Sequence, residues 1–335
     1  MATRSFPEKI QALGLCSGGL DSILAALVLA DQGIGVEWIN FQTPFFSSEK
    51  AARAARQTGI PLTVIDITAE HLDMLKDPNC GYGKQMNPCL DCHALMFRIA
   101  GRVMQERGFD FLFSGEVLGQ RPMSQTRSSL RYVEKNSGRE GYILRPLSAR
   151  HLPETIPEKE GRVDRSRLLD LSGRGRKRQI ELAEHYQVTE YPAPAGGCLL
   201  TDKHFSIRLR DLFQHQQEYP ENELHLLKYG RHFRLTEAVK LIVGRTQSEN
   251  DRLLEYYQPK THELIKVKKY PGPIALLVGN TGGRENISVL AASIVAGYSK
   301  APQLSAVAVE LTRSGRRRTV QVLALPPEDV KKFLI

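Results

Sequence analysis

The sequence has few cysteines, one tryptophan and no long apolar run. Its 335 residues include only five cysteines. An odd number of cysteines argues against a disulfide framework and favours metal binding or thiol chemistry in a reducing compartment. No apolar run approaches the length of a membrane span, and residues 1–8 have no signal-peptide pattern. We therefore expect a cytoplasmic protein that makes no membrane contact.

The composition is otherwise that of a globular protein. Hydrophobic residues make up 41% of the chain and charged residues 25%, and 335 residues suffice for two domains that each bury a core. The formal net charge of +9 favours a polyanionic partner such as RNA. A basic but merely solvated surface is the alternative.

A glycine-rich turn at residues 17–22 is the centre of the predicted organisation. The strand pattern of residues 11–15 precedes it, and a helix pattern rich in Ala and Leu follows it. Glycines let the backbone approach an anion closely, and the serines add hydroxyl donors. The Gly-Lys-Ser/Thr ending of a Walker A loop is absent. The candidate nucleotide-binding residues of this turn are Ser17, Gly18, Gly19, Asp21 and Ser22.

Further strand patterns follow at residues 36–41, 62–67 and 111–116. Helix patterns follow the strands at residues 11–15 and 36–41. This alternation predicts an α/β fold with a doubly wound parallel sheet, in which ligands bind at the carboxyl ends of the strands. Phe41, Gly115 and Gln120 lie at or after such strand ends and are added to the predicted nucleotide site. Gln120 has a simpler alternative role in capping a following helix. Asp21 or Glu116 is the candidate ligand for Mg²⁺.

Three cysteines form the second predicted site. Cys89 and Cys92 are three residues apart at the start of a helix pattern, so both thiols can face one metal. Cys198 follows a turn rich in proline and glycine. Three thiolates without an obvious fourth ligand suit an iron–sulfur cluster of the [4Fe–4S] type with one open iron position. A structural zinc completed by His93 or Cys80, and a cluster-free persulfide relay, are the alternatives.

Several short motifs resemble those of known tRNA-thiolating enzymes. Residues 17–22 resemble the pyrophosphate loop (PP-loop) of the N-type ATP pyrophosphatases, which split ATP between its α and β phosphates and adenylate a substrate. Residues 87–92 and Cys198 are similar to the cysteine sites of the bacterial tRNA 2-thiouridylases. A cysteine stands at position 89 where that family often has aspartate, as in the iron–sulfur tRNA thiolases. Residues 115–126 and 143–147 resemble segments of the tRNA 4-thiouridine synthetases, with Arg145 as a candidate phosphate contact.

The resemblance implies an ATP-dependent tRNA sulfurtransferase with the adenine nucleotide alpha hydrolase-like (HUP) fold. Its implied cofactors are ATP, Mg²⁺ and the iron–sulfur cluster, and its catalytic residues are Asp21, Cys89, Cys92 and Cys198. A cysteine desulfurase, a sulfur carrier or free sulfide would supply the sulfur. The alternatives are a sulfur transferase or amide ligase acting on a small molecule, and a non-catalytic RNA-binding protein.

The pattern changes after residue 202. We expect a catalytic ATP-binding domain at residues 1–202 and a smaller α+β domain at residues 203–335. Residues 230–250 resemble the RNA-binding region of the NFACT family, which implies tRNA as the partner. The basic run at residues 313–318 is predicted to form a hairpin turn, a candidate RNA contact. A scaffold or dimerisation domain, with the protein as a homodimer, is the alternative.

Overall fold

The computed structural model describes residues 10–193 and 197–335. The contacts divide the chain into two compact units, one ending at Thr201 and the other comprising Asp202–Ile335. The boundary thus lies one residue before the expected position between residues 202 and 203.

The first unit contains a parallel sheet of five strands in the order β3-β2-β1-β4-β5, which confirms the predicted doubly wound α/β fold. Its strands are β1 (Gln11–Leu15), β2 (Gly35–Gln42), β3 (Leu62–Asp66), β4 (Phe111–Ser114) and β5 (Ile143–Leu144). Its helices are α1 (Leu20–Ala30), α2 (Glu49–Thr58), α3 (Thr68–Lys76), α4 (Cys89–Arg107), α5 (Arg127–Ser137), α6 (Ile156–Lys159) and α7 (Lys177–His185). Short 3₁₀ helices occur at Ala149–His151, Arg165–Arg167 and Leu199–Thr201.

Strand β1 lies at the centre of this sheet and is buried on both faces. Ala12 belongs to one hydrophobic cluster and Leu13 to the other, as expected when helices cover both sides of a parallel sheet. β1 pairs with β2 on one side and with β4 on the other. The strand order therefore reverses beside β1, and the loop that follows β1 lies where open α/β sheets bind their ligands.

The second unit contains an antiparallel sheet of six strands in the order β11-β10-β8-β9-β7-β6. The elements are α8 (Lys203–His215), α9 (Glu221–Leu226), β6 (Arg231–Thr236), β7 (Val239–Val243), α10 (Gln247–Glu255), β8 (His262–Val267), β9 (Ile274–Gly279), α11 (Glu285–Gly297), β10 (Val307–Arg313), β11 (Arg316–Val322) and a 3₁₀ helix at Lys331–Phe333.

Helices pack on both faces of this sheet. Helix α11 packs on one face, where its apolar residues join those of β10 and β11. On the other face Leu226 of α9 and Leu253 of α10 pack against Ile242, Leu276 and Val278 of β7 and β9. Helices α9 and α10 therefore cover the half of the sheet that contains β7 and β9.

The basic hairpin differs from its prediction. Ser314 and Gly315 alone form the turn, both with positive φ (50° and 76°), the conformation typical of a two-residue hairpin turn. Arg316, Arg317 and Arg318 therefore lie in β11 rather than in a turn. Their side chains alternate between the two faces of the sheet.

Across the two described segments, no helix combines the length and apolar character needed to cross a membrane.

Candidate active site

The glycine-rich loop is held closely between two helices. Gly18 has a φ of +70°, and a Cβ there would overlap the carbonyl carbon of Lys50 in the first turn of α2. Gly19 begins α1 without a side-chain cap. An uncapped helix start presents backbone N–H groups and a positive dipole end, which together attract phosphate.

The two serines of this loop have different surroundings. The Oγ of Ser17 is exposed and accepts the N–H of Gly19 at 3.3 Å. The hydroxyl of Ser22 is buried and donates to the carbonyl of Gly19 at 2.7 Å. Of the two predicted hydroxyl donors, only that of Ser17 is open to a phosphate, because the hydroxyl of Ser22 already donates to the backbone at the start of α1.

Asp21 and Gln120 form a polar pair beside the loop. The Nε2 of Gln120 donates to the Oδ2 of Asp21 at 2.9 Å. Burial raises the pKa of Asp21, against the opposing effects of the Gln120 bond and of Arg176 and Arg121. The Oδ1 of Asp21 and the Oε1 of Gln120 are buried and have no hydrogen-bond partner among the described residues. Two unpaired acceptor oxygens on adjacent side chains fit a hard cation such as Mg²⁺.

Phe41 and Gly115 contribute packing rather than side-chain contacts with a ligand. The Phe41 ring lies in the hydrophobic core and is 3% exposed. Any contact of Phe41 with a nucleotide would therefore involve its backbone and not its ring, and its place in the nucleotide site stays a prediction. Position 115 requires glycine because the Cβ of any other residue would overlap the backbone of Asp21. It allows the loop after β4 to lie directly against the first turn of α1.

Glu116 is the centre of a buried ionic network. Its Oε2 accepts from the Nε of Arg145 at 3.1 Å, and its Oε1 lies 3.1 Å from the Nδ1 of His93. Burial raises the pKa of Glu116, but Arg145 and His93 outweigh burial and lower the pKa to about 2. Arg145 is itself buried and also pairs with Glu134 at 3.4 Å. Arg145 thus neutralises carboxylates in the interior, and the phosphate contact suggested by its motif is wrong.

Cys89, Cys92 and Cys198 share one neighbourhood. Cys89 and Cys92 lie in the first turn of α4, and the N–H of Leu199 donates to the carbonyl of Phe45 at 3.0 Å, which fixes the segment of Cys198. Burial raises the pKa of Cys92 well above its usual value, and negative charge on Cys198, Cys89 and Asp91 raises it further. Burial likewise raises the pKa of Cys198 to about 11. The thiols of Cys92 and Cys198 are therefore protonated near neutral pH when no metal is bound.

The donor chemistry of this group fits an iron–sulfur cluster, which takes thiolate ligands and releases their protons on binding. Within residues 10–193 and 197–335, however, no group of three or more His, Cys, Asp or Glu side chains is arranged to hold a metal ion. The cluster stays a prediction. Of the two candidate fourth ligands for zinc, His93 is engaged with Glu116 and Cys80 is exposed. Residues 194–196 of the predicted rigid turn lie outside the described residues.

Two further neighbours of the cysteines, His71 and Asn87, were not among the predicted site residues. His71 is fully buried, its ring lies 5.5 Å from that of Phe45, and its Nε2 is 3.5 Å from the Sγ of Cys92. Burial lowers the pKa of His71 to about 4, so its ring is neutral at pH 7. The Nδ2 of Asn87 donates to the Sγ of Cys89 at 3.3 Å. Asn87 belongs to the Asn-Pro-Cys motif and could have been noticed, whereas nothing in the spacing indicates His71.

Lys50 connects the glycine loop with the segment of Cys198. Its backbone lies against Gly18, and its Nζ is 3.5 Å from the position that a Cβ of Gly197 would occupy. The loop and the residue before Cys198 are therefore separated by no more than the length of one lysine side chain. Lys50 also supplies a cation that the loop itself lacks.

Two family models match separate parts of the chain. Residues 8–154 match the model described as thiamine biosynthesis protein (ThiI), and residues 230–334 match the NFACT protein RNA binding domain. Residues 8–154 are thus similar to the ThiI family, and residues 230–334 are similar to the NFACT RNA-binding domain. The ThiI segment contains the glycine loop, Asp21, Gln120, Cys89 and Cys92, whereas Cys198 lies beyond it.

Curated relatives of the ThiI segment are named probable tRNA sulfurtransferase. The protein from Finegoldia magna is 29% identical over 153 residues, which are 44% of this chain and 38% of the relative. The protein from Ureaplasma parvum serovar 3 is 30% identical over 165 residues, 47% of this chain and 42% of the relative. The chain spans about two fifths of the length of these curated relatives.

Solved structures give a weaker likeness. A 4-thiouridine synthetase–RNA complex with bound ATP has a TM-score of 0.40 and 22% identity, covering 64% of this chain and 53% of that chain. A predicted subunit of tRNA methyltransferase from Methanocaldococcus jannaschii has a TM-score of 0.34 and 17% identity, covering 52% of this chain and 76% of that chain. Likenesses at this level carry no argument about function.

Proposed function

We propose that the chain is an ATP-dependent tRNA sulfurtransferase that adenylates a uridine carbonyl and replaces its oxygen with sulfur. The observation that carries the proposal is the arrangement within the first unit. The glycine loop and the Cys198 segment are linked by Lys50, and Cys198 is electrostatically coupled to Cys89 and Cys92. The names of the curated relatives of the ThiI segment agree with this activity.

ATP binds through the loop that follows β1. Gly18 and Gly19 bring backbone N–H groups and the start of α1 to the phosphates, and the hydroxyl of Ser17 adds a donor. The ammonium group of Lys50 neutralises phosphate charge from the side of α2. Asp21 and Gln120 would hold Mg²⁺ through their unpaired oxygens.

Adenylation turns the uridine oxygen into a leaving group. The carbonyl oxygen attacks the α-phosphorus of ATP, the bond to pyrophosphate breaks, and the loop retains the pyrophosphate charge until release. A sulfur nucleophile then adds to the activated carbon, and AMP departs with the oxygen. The carbonyl oxygen of uridine is a poor leaving group, so activation is needed before sulfur can displace it.

The cysteines supply the sulfur nucleophile. Cys89, Cys92 and Cys198 would hold the iron–sulfur cluster, which provides a bound sulfide when it is present. In the cluster-free alternative one of these cysteines carries a persulfide received from a cysteine desulfurase or a sulfur carrier. Its outer sulfur attacks the activated carbon, a second cysteine thiol then breaks the S–S bond, and a thiol reductant reduces the disulfide that is left. In both cases the neutral ring of His71 and the amide of Asn87 orient Cys92 and Cys89.

The partners follow from this chemistry. The NFACT domain binds tRNA, and a cysteine desulfurase, a sulfur carrier or free sulfide renews the sulfur. The proposed location is the cytoplasm, and a homodimer is one possible assembly.

The decisive test is mass spectrometry of tRNA nucleosides from cells with and without the protein. We expect one thiolated nucleoside to disappear in cells without it and to return with the wild-type gene. Variants Cys89→Ser, Cys92→Ser and Cys198→Ser should fail to restore it, whereas the matched variant Cys80→Ser should succeed. An unchanged nucleoside profile would contradict tRNA as the substrate and favour a small-molecule acceptor. A colourless, iron-free protein purified anaerobically that still thiolates tRNA would contradict the cluster.

A further inference from the structure

We infer that the outer face of β8, β10 and β11, opposite helix α11, is an RNA-binding surface that takes a single-stranded segment. This inference rests on the proposed function, because it specifies where the second unit contacts its RNA partner. We call this region the open face. It is defined by Lys266 and Lys268 on and after β8, by Ala308, Glu310 and Thr312 on β10, and by Arg317, Thr319 and Gln321 on β11.

The strand register assigns these residues to one side. Thr312 pairs with Arg317, Glu310 with Thr319, and Ala308 with Gln321 across β10 and β11. Lys266 of β8 lies opposite Glu310. The alternating residues Val307, Val309 and Leu311 are buried towards α11. The open-face side chains therefore point away from α11, because successive residues of a strand point to opposite faces.

This half of the sheet is exposed, whereas the neighbouring half is covered. Ile242, Leu276 and Val278 are buried beneath α9 and α10. In contrast, Lys266, Lys268, Arg317, Thr319 and Gln321 are exposed. The face thus changes from an apolar, helix-covered half to a polar, solvent-facing half within one continuous sheet.

The open face carries basic groups that are available to a partner. Within the part of the chain that the structure describes, Lys266, Lys268 and Arg317 have no ion pair. Arg318, the next residue, projects to the other side and pairs with Glu285 at 2.6 Å and Glu263 at 3.5 Å. Its charge is therefore satisfied inside the unit. Unpaired cations spaced along one surface are what a phosphate backbone requires.

A tyrosine borders the open face. The hydroxyl of Tyr257 donates to the carbonyl of Thr312 at 3.1 Å, while its ring packs against the apolar cluster under α9 and α10. Tyr270, which is 39% exposed, follows Lys268 and Lys269 along the chain. Aromatic rings beside cations stack on unpaired bases, which favours a single-stranded segment over a double helix.

Protection against strand pairing does not account for all of these charges. Charged residues on an edge strand prevent pairing between sheets, and β11 is an edge strand. Lys266, however, lies on β8, which has β10 on one side and β9 on the other. An interior strand needs no such protection. The outer positions are also mostly polar, whereas protein–protein interfaces have an apolar centre.

The test compares salt dependence of RNA binding in two charge-matched variants of the full-length chain. The surface variant carries Lys266→Ala, Lys268→Ala and Arg317→Ala, and the control carries Lys203→Ala, Lys300→Ala and Lys331→Ala, which are exposed elsewhere in the second unit. Filter binding of a tRNA transcript and of a single-stranded RNA is measured from 50 to 300 mM salt. The surface variant should reduce the slope of log affinity against log salt by about 2 to 3, since each lost phosphate contact removes about 1. The control should keep the wild-type slope.

A second variant separates stacking from charge. Tyr270→Leu should weaken binding of the single-stranded RNA by about 10-fold without changing the salt slope, because one base loses its stacking partner. Unchanged thermal unfolding midpoints would show that both variants fold.

The outcomes distinguish this inference from the proposed function. Failure of the wild-type chain to bind RNA even at 50 mM salt would overturn both. Normal RNA binding by the wild type together with an unchanged slope in the surface variant would overturn only the open face. Loss of binding to vesicles of anionic lipid, with RNA binding unaffected, would assign the surface to a membrane and also overturn the inference.

Discussion

The Nε2 of His71 lies 3.5 Å from the Sγ of Cys92, and the side chain of His71 is fully buried in the first unit. The ring of His71 is packed beside Phe45 and Phe46, with centroid distances of 5.5 Å and 5.4 Å. These contacts fix the ring, and the ring in turn fixes the thiol. His71 is therefore a positioning residue for Cys92.

Replacement of His71 should impair sulfur transfer more than folding. We expect His71→Leu to lower single-turnover thiolation by about 10–100-fold, the usual cost of removing a group that orients a thiol or metal ligand. The thermal unfolding midpoint should change little because leucine keeps the site apolar. Full thiolation by the folded His71→Leu protein would contradict the positioning role.

The two loop glycines should respond differently to alanine. Gly18→Ala places a Cβ into the backbone of Lys50 and forces a left-handed conformation, which alone costs about 1–2 kcal/mol. At Gly19 the nearest atom to an added Cβ is the Oγ of Ser17, at an ordinary 3.4 Å. We expect Gly18→Ala to abolish ATP binding, as measured by calorimetry. We expect the loop to stay folded in Gly19→Ala. Equal effects of the two changes would contradict the close packing of the loop on α2.

Most elements were predictable because their signals are local. The predicted strand at residues 11–15 matches β1, and the helix pattern predicted after the glycine-rich turn corresponds to α1, Leu20–Ala30. Both follow from apolar runs bounded by glycines. The hairpin between the last two long strands is present at the predicted place, but its turn is shorter than predicted, because Ser314 and Gly315 complete it alone and residues 316–318 belong to β11.

The site was only partly predictable because its neighbours are distant in sequence. Cys89, Cys92 and Asp21 lie in recognisable motifs. His71 and Lys50 have no motif, and they reach the site only through the sheet order and the packing of α2 and α3. Arg145 was misassigned because sequence alone does not reveal that Glu116 and Glu134 surround its guanidinium group.

The Glu116–Arg145 pair should be essential for stability. Arg145→Met leaves the Glu116 carboxylate buried without its main partner, which costs about 3–5 kcal/mol of unfolding free energy. Arg131→Ala is the matched control, since its pair with Glu140 is exposed (75% and 56%) and contributes at most about 1 kcal/mol. Urea unfolding followed by the fluorescence of buried Trp38 measures both. Adding Glu116→Gln to Arg145→Met should recover part of the loss, and the absence of recovery would contradict this account.

Acid should weaken the same pair. The pKa of Glu116 falls from 4.5 to about 2 on folding, so the unfolded chain binds the proton more readily. The stabilisation is complete above pH 4.5 and decreases by about 3 kcal/mol as the pH falls to 2. Glu116→Gln should remove this part of the pH dependence in Trp38-monitored unfolding, and an unchanged profile would contradict it.

His262 should make the second unit sensitive to milder acid. Burial lowers its pKa to about 4, and its Nδ1 accepts the N–H of Gln258 at 3.1 Å. The stabilisation by the neutral His262 ring is complete above about pH 6.5 and is lost as the pH falls towards 4. The loss reaches about 2 kcal/mol at pH 5. His262→Gln should reduce the shift in unfolding midpoint between pH 7.5 and pH 5, whereas exposed His204→Gln should not. Equal shifts in wild type and His262→Gln would contradict this assignment.

Lys50 should determine the affinity for ATP. The loop has no lysine of its own, and Lys50 is the cation whose backbone touches Gly18. Lys50→Met should raise the KM for ATP by about 10–100-fold, the value of a hydrogen bond to a charged group, with a smaller change in kcat. Lys50→Arg should recover much of the affinity because it keeps the charge. Arg56→Met, an exposed cation near the other end of α2, should have no effect. If Lys50→Met instead leaves the KM for ATP unchanged and lowers only the rate of sulfur transfer, the ammonium acts at Cys198 rather than at the phosphates, since Gly197 is its other neighbour.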